Sequence, residues 1–216
     1  MFRSFILMTV MAAILAGCSN PEKTGRYLID PPDSGKRLAN RLGTAELRDV
    51  SLPEYAAGQE VAWQTPDGAV RSVPDQLWAD SPQRAFTLTL AGRISDISGA
   101  TVIAEPWPLG APPDRRLEVR VEKALAGADG MYRLEGRYFV SNSSYTSGND
   151  LTRKFNIVVP LGAEGPGAIA RAQSNAIGQL ADQIARLAGP GNSIPSGNAQ
   201  TDPLRTPAGD GLDPIL

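Results

Sequence analysis

Apolar and polar positions along the chain follow two different periods, and the clearer of the two lies on either side of a glycine-containing loop. Leu117, Val119 and Val121 alternate with Glu118, Arg120 and Glu122; beyond the loop Tyr132, Leu134, Tyr138 and Val140 alternate with Arg133, Glu135 and Arg137. A period of two sends successive side chains to opposite faces, so the pattern predicts an antiparallel hairpin with one face apolar and one wet. Thr152 to Val159 supplies a third strand that turns Phe155, Ile157 and Val159 inward.

The helical period appears twice. Phe86, Leu90, Ile94 and Ile97 recur every three or four residues behind Ser81 and Pro82. That pair reads as an N-cap followed by a proline at the first helical position, where its missing N–H costs nothing. Gly99 ends this helix. The second runs from about Gly167 to Leu187, with Ile169, Ile177, Leu180, Ile184 and Leu187 on one face and Gln173, Gln179, Asp182 and Gln183 largely off it; Gly189 and Pro190 stop it.

Shorter strands are predicted near Arg26 to Ile29, Glu46 to Val50, Glu60 to Gln64, Ala69 to Arg71 and Ala100 to Glu105. The TPDG at Thr65 to Gly68 offers turn chemistry for a hairpin-like pair. Two amphipathic helices and a mostly antiparallel sheet, with the helices on one face, make an α+β two-layer domain.

The N-terminus obeys neither period. Arg3 precedes an apolar run from Phe5 to Leu15, too short to span a hydrocarbon layer of roughly 30 Å as a stable helix. It reads as an export signal over residues 1–17. The stretch LAGCSN, Leu15 to Asn20, contains the single cysteine of the 216-residue chain and resembles a bacterial lipobox, in which Cys18 is acylated and becomes the first mature residue. The plainer alternative is an ordinary secretory signal with a cysteine near its cut. Ser19, in place of the aspartate that usually retains such proteins at the inner membrane, directs the expectation to the periplasmic face of the outer membrane. Residues 18–25 form an acylated tether, 26–188 the domain, and 189–216 a Gly/Pro-rich tail too polar to offset its ordering entropy.

Composition removes several chemistries. A formal net charge of −2 gives no basic excess for nucleic acid, and 42% hydrophobic residues suit an ordinary core. A lone cysteine forbids an internal disulfide. The chain has no histidine, which eliminates the commonest metal ligand and general base and with them Ser-His-Asp and Cys-His catalysis.

The segments LPEYAAGQEVAW, QLWAD, AEPWP, PPDRRLEVRVEKA and AQSNAIGQLADQIA, in that order behind the lipobox, resemble the auxiliary lipoproteins of ABC-type transport systems, the PqiC-like group. The likeness extends from about Arg26 to Leu187. It departs at Ala56, Ala57 and Gly58, where the family usually shows a leucine and a nearby arginine, and at Arg115 and Arg116, where an aromatic is common. The resemblance implies a non-enzymatic component of a system moving lipids between membranes, whose partner carries MCE domains and bridges the periplasm. Such a partner is symmetric, so a ring or other homo-oligomer is the accompanying expectation. A regulator of a cell-wall enzyme would share the anchor and the small domain, but crossing the periplasm needs a long tether. Here the reach before Tyr27 is roughly 30 Å at about 3.4 Å per residue.

The candidate residues are few. Cys18 carries the lipid. Trp78 and Tyr55 read as packing residues, whereas Trp107, held between Pro106 and Pro108, is open to a core role or a partner contact. Arg120, Arg133 and Arg137, interleaved with Glu118, Glu122 and Glu135, read as solvent-exposed cross-strand ion pairs before they read as a lipid-headgroup site. Ser143 and Ser144 lack a base, and GAEGPG lacks the lysine of a phosphate loop. No catalytic, cofactor or metal residue is assigned.

Overall fold

The computed structural model describes residues 23–143, 150–191 and 193–194. Cys18, the signal segment, the start of the tether, Ser144 and most of the tail lie outside the described residues. In chain order the elements are β1 Gly25–Tyr27, β2 Thr44–Leu47, α1 Glu54–Ala57, β3 Glu60–Gln64, β4 Val70–Trp78, α2 Pro82–Ser98, β5 Thr101–Ala104, β6 Arg115–Ala126, β7 Met131–Asn142, β8 Asp150–Pro160, α3 Pro166–Ala185 and β9 Ser193–Ile194.

The fold is α+β, a mixed sheet with helices packed on it. The alternating segments form the antiparallel heart, with β7 pairing β6 on one side and β8 on the other. On the outer edge of β6 the sheet divides. Near its start β6 accepts β2, which in turn carries β5; at its far end it touches β3, which leads to β4 and β1. The pairings of β1 with β4 and of β2 with β5 and β6 are parallel. Three-to-four-residue strands have no pattern long enough to announce a direction, so only the long strands showed theirs.

The inward rows are buried as their alternation requires: Leu117, Val119 and Val121 on β6, Tyr132, Leu134, Tyr138 and Val140 on β7, Phe155, Ile157 and Val159 on β8. Against them lie Phe86, Leu90, Ile94 and Ile97 of α2 and Ile169, Ile177, Leu180 and Ile184 of α3, all in one core. At roughly 1.5–3 kcal/mol for each fully buried large apolar side chain, this layer is the main stabilising term.

Several ends differ from expectation. Ser81 stands at the N-cap of α2 but makes no side-chain capping bond, and Gly99 closes the helix in the left-handed region at φ 68°. The second helix stops at Ala185, before Gly189, and Leu187 itself takes φ 54°. β4 runs on to Trp78 past Pro74, which falls where the β3–β4 register shifts between the Ala62–Ser72 and Glu60–Leu77 pairs and no ladder N–H is required. The start of the tail is also not free: Lys154 N–H donates to Pro190 O at 2.8 Å, and Ser193–Ile194 pairs with Asp150 and Leu151.

The connection from β1 to β2 crosses both helices. Asp30 N–H donates to Ser174 Oγ on α3 at 2.9 Å, and Leu38 N–H to Ile97 O on α2 at 2.6 Å. It ends in a clamp: Thr44 gives its N–H and hydroxyl to Asp114 Oδ2 at 3.0 and 2.9 Å, and Asp114 N–H returns a bond to Thr44 Oγ1 at 2.8 Å. These bonds, the backbone N–H foremost, hold the Asp114 carboxyl below its usual range.

Candidate interaction surfaces

No group of three or more His, Cys, Asp or Glu side chains placed to hold a metal occurs among the described residues. Among the described residues, the buried Ser143 Oγ has no hydrogen-bond partner. The chemistry on display is that of contact surfaces, and three are defined.

The first is the polar face of the long strands. Arg137 reaches across to Glu122 at 3.2 Å, the cross-strand pairing foreseen. Arg120 instead pairs along its own strand with Glu118 at 2.5 Å and places its guanidinium 5.1 Å from the Phe139 ring centroid. Arg133 turns to Asp129 at the hairpin loop, at 2.5 and 3.0 Å. That hydrogen-bonded guanidinium holds the Asp129 carboxyl at about 2. With their arginines paired to carboxylates in solvent, these ion pairs contribute little to stability.

The second is the loop between β5 and β6. Pro106 follows a cis peptide bond. Trp107 N–H donates to Glu46 Oε1 at 2.9 Å and the indole N–H to Ala111 O at 2.7 Å. The ring is half-exposed and outside the core, beside exposed Leu109. Trp78, by contrast, is buried in the core at the end of β4. Tyr55, on the unforeseen α1, accepts from Ala124 N–H at 3.2 Å next to the bulge in β6. Trp78 is therefore a core residue, and Trp107 is held outside the core.

The third was invisible in the sequence because three separate turns build it. The β3–β4 turn, the β6–β7 turn and the loop entering α3 enclose a groove of about 420 Å³, walled by Trp63, Pro66, Ala126, Ala128, Leu161 and Ile169 among others. Its one charged lining residue is Glu164. Only the spacing of small and apolar residues at turns hinted at it, and that signal has no period.

Strand directions order these surfaces. β3 is parallel to β6 where Trp63 meets Ala126, so the groove lies where β6 ends. Trp107 is bonded to β2, which pairs with Arg115 to Leu117 where β6 begins. Twelve residues separate the ends of β6, about 40 Å of strand. β1 runs parallel to β4, away from the groove end, and pairs with its last three residues, Gln76 to Trp78, so the chain comes into β1 from the groove side. The Tyr27 ring comes within 3.5 Å of where a Cβ on Gly167 would stand.

Comparison with known proteins identifies the family. Residues 27–185 match the family described as ABC-type transport auxiliary lipoprotein component. Intermembrane transport lipoprotein PqiC of Escherichia coli (strain K12) is 30% identical over 139 residues, 63% of this chain and 73% of that protein. A crystal structure of an uncharacterized protein superposes with a TM-score of 0.58 at 22% identity, covering 72% of this chain and 99% of the other. A protein from Xanthomonas campestris gives 0.54 at 14% identity, over 75% and 91%; both establish the fold alone. The chain thus belongs to the ABC-type transport auxiliary lipoproteins, as an auxiliary component of a transport system.

Proposed function

We propose that the protein is anchored by an acylated Cys18 to the periplasmic face of the outer membrane and docks, without catalysis, onto an MCE-domain partner of an intermembrane lipid-transport system. Family membership and the PqiC relative, an intermembrane transport lipoprotein, support the transport role. The observation that carries the docking reading is polarity of placement. The chain comes into β1 from the groove side of the sheet, and the pinned, half-exposed Trp107 sits at the opposite end. A short tether holds the entry end at the bilayer and leaves the tryptophan loop facing the periplasm. Confinement to a surface raises the effective concentration toward a partner held at the same place, and tryptophan is among the residues that concentrate binding energy at interfaces. A homo-oligomer matched to a symmetric partner completes the reading.

Affinity purification of the intact lipoprotein from membranes in mild detergent tests it. Recovery of an MCE-domain protein is the expected result; recovery of only a cell-wall synthase contradicts it.

A further inference from the structure

We infer that the groove between the β3–β4 turn, the β6–β7 turn and the entry to α3 holds an acyl chain of a bilayer phospholipid. The inference rests on the acylation of Cys18 proposed above. Six residues, 19–24, separate that cysteine from β1, and they reach at most about 20 Å when extended. Because the chain comes into β1 from the groove side and the Tyr27 ring lies against Gly167, next to the groove-lining Gly165 and Pro166, this tether keeps the groove near the headgroup layer, where phospholipid is the most concentrated apolar ligand.

The walls select hydrocarbon. Trp63, Pro66, Ala126, Ala128, Leu161 and Ile169 present carbon, and about 420 Å³ falls within the ~300–1,000 Å³ typical of ligand sites. Nothing there suits a phosphate. Lysine and arginine are missing from the lining, and its one charge, Glu164, repels an anion. The N-terminus of α3 offers few donors to an anion: Pro166 has no N–H, while Ala168 and Ile169 donate to Gly165 O at 3.0 and 3.2 Å. The headgroup therefore remains in water and the tail enters. Val70 and Val73, exposed on β4 beside the turn, extend the apolar surface at this end.

The test places a photoreactive benzophenone amino acid at Ala163 or Ala128, exposed positions on the groove wall, or at Leu109 at the other end, in the full chain in native membranes. The expected result is a phosphorus-containing phospholipid adduct formed several-fold more at the groove positions than at Leu109, and lost from the Ala163 probe when Ala128→Trp fills the groove. Equal yields, an adduct with the protein's own acyl chain, or a protein adduct overturns the inference. Fractionation of the same samples separates the two readings. An acylated, membrane-bound chain without lipid adduct removes the groove site alone, whereas a chain found soluble and unacylated removes the anchor, and the groove site with it.

Discussion

Tyr132 on β7 donates its hydroxyl to Gln173 Oε1 on α3 at 3.0 Å, both side chains being buried between sheet and helix. Burial pushes the Tyr132 phenol far above its usual range, so it stays a donor at every working pH. Removing one partner leaves the other desolvated and unsatisfied, at about 1–3 kcal/mol. Gln173→Leu and Tyr132→Phe should each lower denaturant stability by that amount, and the double variant should cost less than their sum. Additive losses would show that the pair is not coupled.

Gly136 holds the sheet closed at the β6 bulge. A Cβ there would stand 2.2 Å from Arg120 O and 2.7 Å from Phe155 Cζ, and the backbone oxygen cannot withdraw without breaking the β6–β7 ladder. Gly136→Ala should therefore destabilise by about 3 kcal/mol or more, well beyond an ordinary substitution. Urea unfolding measures it.

Asp129 gives the fold a small acid limb, because its ion pair with Arg133 lies in solvent. Its folded value of about 2 lies below the ordinary 3.8, so the ionised form favours folding. That contribution is complete above about pH 4 and fades as pH falls toward 2. Asp129→Asn should flatten this part of the thermal-midpoint profile and leave variant and parent closer together at pH 2 than at pH 6.

Trp107 separates binding from stability. Half-exposed and outside the core, it should cost only about 1 kcal/mol of stability as Trp107→Ala. A central interface tryptophan costs about 2 kcal/mol or more of affinity, roughly thirtyfold. Recovery of the MCE-domain partner should fall while circular dichroism and the melting midpoint barely move. Undiminished recovery would assign the contact elsewhere.

Period carried most of the architecture. The β6–β7 hairpin, β8 and the stripe of α2 follow from alternation long enough to fix which face is buried. Gln173 shows where that reading fails. By residue type it belonged off the apolar face, yet only the facing strand reveals that Tyr132 waits there to satisfy it. β4 was read short because Pro74 and Asp75 break a strand pattern, whereas the register shift opposite β3 accommodates them. The groove could not be read at all, since Trp63, Ala128 and Leu161 are distant in sequence and meet only when β3, β6 and β8 end together. Trp107 was picked out by its flanking prolines, but its position at the end away from chain entry emerges only from strand direction.

The anchor is the claim on which orientation, docking and groove all depend. Mass spectrometry of the mature N-terminus addresses it directly: a chain beginning at Cys18 and carrying fatty acyl groups is the predicted result. A free thiol at Cys18, or a first residue elsewhere, would contradict it.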